Sequence, residues 1–109
     1  MHIAIPVAGG EVSAHFGHCD AFRIFETEDG AIRAQRDVTP PGHAPGVLPA
    51  FLKEQGVDVV LAGGMGGRAK GLFAEAGIQT VTGVTGEPQA AVRAFIEDRL
   101  EPGEDTCAH

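Results

Sequence analysis

Tryptophan and tyrosine are absent from this chain, so its six phenylalanines are the only large aromatic groups a core can use. Cysteine occurs twice, too seldom for the disulfide-dense scaffold of a small secreted domain, although a single Cys19–Cys107 bridge stays open at this point. Basic residues are also scarce. Eight Lys and Arg stand against fifteen Asp and Glu, for a net charge of −7, and no basic run rises above the background. A nucleic-acid grip works by neutralising phosphates, so the composition argues against one. The longest apolar run, Val57 to Ala62, is broken by Asp58 and falls far short of the roughly 20 residues that a membrane-spanning helix needs. The opening Met1-His2-Ile3-Ala4-Ile5-Pro6 has neither the basic start nor the apolar stretch of a secretory signal. Together these absences predict a cytoplasmic protein with reduced thiols and with neither membrane nor nucleic acid as partner.

What is present suits one compact domain. The 109 residues are 43% hydrophobic, enough for a single core. The domain is expected over residues 1–100, followed by an acidic, Pro/Gly-containing tail over 101–109 that reads as flexible. Ile3 to Val7 reads as a strand, with Pro6 expected near its end or at a bulge because it has no N–H to pair. Phe22 to Glu26 and Ala31 to Val38 read as a hairpin around Asp29-Gly30, and the polar second arm suggests a sheet edge. Val47, Leu48, Phe51 and Leu52 line one side of a helix that Gly56 ends. Val57 to Ala62 has the β-branched, nearly continuous apolar look of a strand covered on both faces. A second helix carries Ala69, Leu72, Phe73 and Ala76 and closes at Gly77. Ile78 to Thr82 is a further strand. Pro88 opens a third helix with Val92, Phe95, Ile96 and Leu100 inward. The order β, β-hairpin, α, β, α, β, α predicts an α/β protein with helices on both faces of a five-stranded mixed sheet.

The chemistry concentrates in Ser13-Ala14-His15-Phe16-Gly17-His18-Cys19. Two imidazoles and a thiol within five residues favour soft or borderline metals or an iron–sulfur unit. His15, His18 and Cys19 supply three candidate ligands, and a closed zinc site needs about four. The fourth can come from His43, in the stiff loop Pro40 to Gly46, or from Cys107 and His109 in the tail. Paired CxxC spacing is missing, so a small buried Cys19 and a strand-capping His15 stay open as structural readings. A second feature is Gly63-Gly64-Met65-Gly66-Gly67-Arg68, between a strand and a helix. It fits a loose dinucleotide fingerprint, yet the following strand ends Val81-Thr82-Gly83 without the acid that would hold a ribose. What remains is an anion site built of backbone N–H groups at a helix start, with Arg68 beside them, or else a plain tight turn. No nucleophile–base pair and no set of strand-end carboxylates points to an enzyme.

Ser13-x-His15-Phe16-Gly17, Phe22-x-Ile24-Phe25 and Gly56-Val57-Asp58-Val59-Val60-Leu61-Ala62-Gly63-Gly64-Met65-Gly66 resemble the dinitrogenase iron–molybdenum cofactor biosynthesis family. This group comprises small proteins and domains related to NifX and to the C-terminal part of NifB. The likeness runs from Ile3 to about Leu100. It implies a ribonuclease-H-like three-layer α/β/α fold. It also implies non-catalytic binding or carriage of an iron–sulfur or iron–molybdenum–sulfur cluster or its precursor, with Mo/Cu clusters as a variant. His15, Gly17, Gly63, Gly64 and Gly66 fall on the family's motifs. Met65 and Arg68 then belong to the same turn, His43 to the rim, and His18, Cys19, Cys107 and His109 are candidate metal ligands. The implied partners are proteins that donate or accept the cluster, with the chain itself a monomer or weak dimer. No CxxxCxxC is present, so the chain is not a complete NifB-type enzyme. Two other classes remain: a regulatory or interaction domain binding a simple anion, a nucleotide or zinc, and a thiol redox enzyme using a Cys19 of depressed pKa.

Overall fold

The structure, a computed structural model, describes residues 1–14, 16, 19–39 and 47–98; His15, Gly17, His18, residues 40–46 and residues 99–109 lie outside the described residues. The chain runs β1 (His2–Ala8), β2 (Glu11–Val12), β3 (Ala21–Glu28), β4 (Ala31–Val38), α1 (Val47–Glu54), β5 (Val59–Leu61), α2 (Gly67–Glu75), β6 (Gln79–Val81) and α3 (Pro88–Ile96). The main sheet has the order β4-β3-β1-β5-β6. β3 and β4 run antiparallel to their neighbours, whereas β1, β5 and β6 are mutually parallel. The five-stranded mixed sheet is therefore as expected, with the addition of β2. Two residues long, β2 pairs antiparallel with the end of β1 (Val7 with Val12, Ala8 with Glu11).

Side-chain alternation along the buried strands divides the core into two layers. Ile3, Ile5 and Val7 of β1 and Val59 and Leu61 of β5 point to one face, where Ala91 and Val92 of α3 cover them. Ala4, Val60 and Ala62 point to the other face, toward Leu48 and Leu52 of α1 and Phe73 of α2. The result is a three-layer α/β/α arrangement. Pro49 sits in the first turn of α1 and Pro88 opens α3, positions where a missing N–H breaks no helical bond. The second helix is less deeply embedded than its sequence stripe suggests. Phe73 is its one buried residue, while Ala69, Leu72 and Ala76 are half-buried.

The hairpin turns at Asp29 (φ 52°) and Gly30 (φ 76°), two successive left-handed residues as a two-residue loop with the strands' own twist requires. β4 is the exposed edge. Glu26 pairs with Ala34 but Thr27 pairs with Ile32, so Arg33 is an extra residue that bulges the strand. A charged bulge on an edge discourages pairing with another chain. Pro6 pairs with Phe22 in register, and its carbonyl accepts the Ser13 N–H (2.7 Å) on the side away from β3. A strand residue's N–H and C=O point the same way. The missing N–H thus faces a side where β1's pairing with β5 has already ended at Ala4. No helix among the described residues is long and apolar enough to cross a membrane.

Candidate functional site

Because β1, β5 and β6 are parallel, the segments that follow them emerge at one edge of the sheet. In α/β sheets such carboxyl ends are where ligands bind. β1 and β5 pair only at Ile3–Val59 and Ala4–Val60, then part. The gap between them is filled by the chain itself. Ser13 donates its N–H to Pro6 and accepts the Gly63 N–H at its carbonyl (3.1 Å), so one residue bridges the prolongations of both strands. Three residues on, the Phe16 N–H donates to the Gly64 carbonyl (2.9 Å). The far side of the glycine turn is tied to the segment after β6: Gly83 donates to Gly63 (2.8 Å) and Val84 to Ala62 (3.0 Å). Val12 donates to Gly86 (2.9 Å), which closes the circuit. The base of the loop after β1 is pinned by Asp20, whose N–H reaches Val7 and whose carboxylate accepts the Gly9 N–H. The frame of the site is thus made of main-chain hydrogen bonds among three loops.

Sequence leaves Gly63 open as part of an anion site or of a plain tight turn; the structure gives it a packing constraint. A β-carbon at position 63 would stand 2.5 Å from the Ser13 carbonyl oxygen and 2.9 Å from the Ala14 Cα, closer than real Cβ atoms come. Gly63, Gly64 and Met65 are buried. The Met65 side chain, 1% exposed, belongs to the core layer under α1 and α2, so it contributes to the turn from below. Gly66 is the N-cap of α2, in extended conformation, and no side chain caps the helix. The first amides of α2 therefore lack the partner that an N-cap Ser, Thr, Asp or Asn would supply. Arg68 stands exposed in the first turn. Amides and guanidinium together give this edge a positive character suited to an anion.

Of the candidate metal ligands, Cys19 is described and the rest are not. It is a free thiol, half-buried, packed against the core layer that holds Phe16 and Phe22. Burial pushes its thiol above the usual range, and the neighbouring Asp20 carboxylate adds to the rise. A redox-active cysteine needs the opposite shift, which burial and the Asp20 carboxylate do not supply. His15, Gly17, His18, His43, Cys107 and His109 lie outside the described residues. No group of three His, Cys, Asp or Glu able to hold a metal occurs among the described residues. The loop after β6, with Gly83 and Gly86, is a part of the frame that motif reading passed over; its two glycines were the available signal. A separate cavity of about 400 Å³ lies at the opposite edge, between the Asp29-Gly30 turn and Phe95 and Ile96 of α3.

The fold is that of a mixed-sheet α/β protein with glycine-rich turns joined at the carboxyl ends of its parallel strands. Residues 1–98 match the dinitrogenase iron-molybdenum cofactor family, and the chain belongs to that family. Membership associates it with the biosynthesis or binding of that cofactor. It is 29% identical over 106 residues to an uncharacterised protein of Methanocaldococcus jannaschii, covering 93% of this chain and 90% of the relative. Among solved structures, that of PH0822 superposes with a TM-score of 0.89 at 35% identity, covering 97% of this chain and 99% of the other. The apo form of the orange protein from Desulfovibrio gigas shares the fold, with a TM-score of 0.79 at 23% identity over 95% of this chain and 93% of the other.

Proposed function

We propose that this protein is a non-catalytic carrier of an iron–sulfur or iron–molybdenum–sulfur cluster, or of its precursor, held as cargo at the carboxyl edge of β1, β5 and β6. The observation that supports this reading most is the join between the loop after β1 and the glycine turn. It ties Ser13 and Phe16, which share a stretch of sequence with the soft ligand Cys19, to the glycine turn that opens α2 and leads into Arg68. Metal–sulfur clusters are anionic, so amides, a helix start and a guanidinium offset their charge, while thiol and imidazole bind the metal. His15 is the leading ligand in this reading. Cys19 and His18 assist it, His43 stands at the rim, and Cys107 and His109 are reserve ligands. Few protein–metal bonds suit a carrier that must release what it holds. A resident iron–sulfur site more often has four cysteines. The partners are cytoplasmic proteins that donate or accept the cluster.

Anaerobic mixing of the apo-protein with iron, sulfide and thiomolybdate, followed by desalting, tests the reading. The expected result is stoichiometric retained metal with a charge-transfer band, both reduced in His15→Ala. Retention of zinc alone, or of a simple anion and no metal–sulfur species, replaces the carrier by a regulatory module.

A further inference from the structure

We infer that Phe16 is a positioning residue of this site: its ring anchors the loop between β1 and β3 on α2 and so sets where that loop's described candidate ligand, Cys19, stands relative to the glycine turn. The inference rests on the cargo-binding reading above. Phe16 is only 7% exposed, in a loop whose described residues alternate between buried (Ser13), half-buried (Cys19) and exposed (Ala14, Asp20). Its ring lies 5.3 Å from that of Phe22 on β3 and 5.3 Å, edge-on at 87°, from that of Phe73 on α2. Its N–H holds the Gly64 carbonyl. One loop residue therefore touches β3, α2 and the turn between β5 and α2. Main-chain hydrogen bonds at Ser13 and Phe16 tie the loop to the turn, and the ring adds a directional aromatic contact that ties it to α2 and β3. Groups that orient ligands without touching the metal control affinity strongly.

A core role alone would give Phe16 the same importance as any buried residue, so the test compares it with Leu52. Leu52 is fully buried in the same layer, on α1. Phe16→Ala, Phe16→Leu and Leu52→Ala are made in the full chain and compared for thermal midpoint, amide exchange at Gly63 in the apo-protein, and retained metal after the reconstitution above. Phe16→Ala is expected to speed exchange at Gly63 and to lower metal retention about tenfold or more. Phe16→Leu, which keeps the fold and refills part of the volume, should give intermediate values. Leu52→Ala should match Phe16→Ala in midpoint while leaving exchange and retention near those of the parent. Equal exchange at Gly63 in Phe16→Ala and Leu52→Ala overturns the inference. If the parent retains no cluster but exchange at Gly63 still separates the variants, the anchoring role stands and the cargo reading alone falls.

Discussion

Gly63 lies so tightly beneath Ser13 that its N–H bonds the Ser13 carbonyl at 3.1 Å, and a side chain there would collide with that same carbonyl oxygen. Gly63→Ala should therefore destabilise the protein by about 1–3 kcal/mol, the usual cost of overpacking, because the group to be displaced is backbone and not a flexible side-chain tip. Urea unfolding measures it. A change within a few tenths of a kcal/mol would mean that the loop yields freely.

Gly71 gives the converse case. It sits in the interior of α2, exposed, with nothing within 4 Å of where a β-carbon would stand. Gly71→Ala should stabilise by about 0.5–1 kcal/mol, since alanine removes backbone freedom from the unfolded chain and meets no neighbour. The same unfolding measurement, run beside Gly63→Ala, reads both signs.

Cys19 should be a sluggish nucleophile. In a Cys107→Ser background, the pH profile of its alkylation by iodoacetamide is expected to inflect above the roughly 8.5 of an ordinary cysteine, because burial disfavours the thiolate. The sign for stability follows. A folded-state pKa raised above the unfolded value leaves stability intact at neutral pH and erodes it as pH rises through the folded value. An inflection below 8 would support the thiol-enzyme reading.

Arg23 and Asp37 form a two-point bridge across β3 and β4, at 2.8 and 3.2 Å. Hydrogen bonding to the guanidinium holds the Asp37 carboxyl below the usual range. The contribution is thus present above an unfolded pKa of about 3.9 and is lost as pH falls through the folded value. The pair faces solvent, so a double-mutant cycle of Arg23→Gln and Asp37→Asn should return about 0.2–1 kcal/mol at neutral pH and less in high salt. A coupling insensitive to salt would contradict this.

Most of the architecture is legible in the residues because the strong signals are periodic or conformational. β5 is short but almost wholly apolar, the hairpin announces itself at Asp29-Gly30, and Pro88 marks the start of α3. β2 escapes notice because two residues have no period. The bulge at Arg33 depends on pairing with β3, which no property of β4 alone reveals. At the candidate site, glycine and histidine draw attention to two loops that the structure joins through Ser13, Phe16, Gly63 and Gly64. What they hide is packing: Phe16 and Met65 sit inside chemically suggestive motifs, and their side chains are core. Such residues look like ligand neighbours until the partner strands and helices that enclose them are known.

Gly63, Gly64, Gly83 and Gly86 hold the loops to one another through main-chain N–H and carbonyl groups and not through side chains. Position in this edge is consequently separable from chemistry. An exposed side chain such as that of Arg68 can be exchanged without loosening the main-chain lattice beneath it, so the surface chemistry of this edge can change while its backbone stays the same.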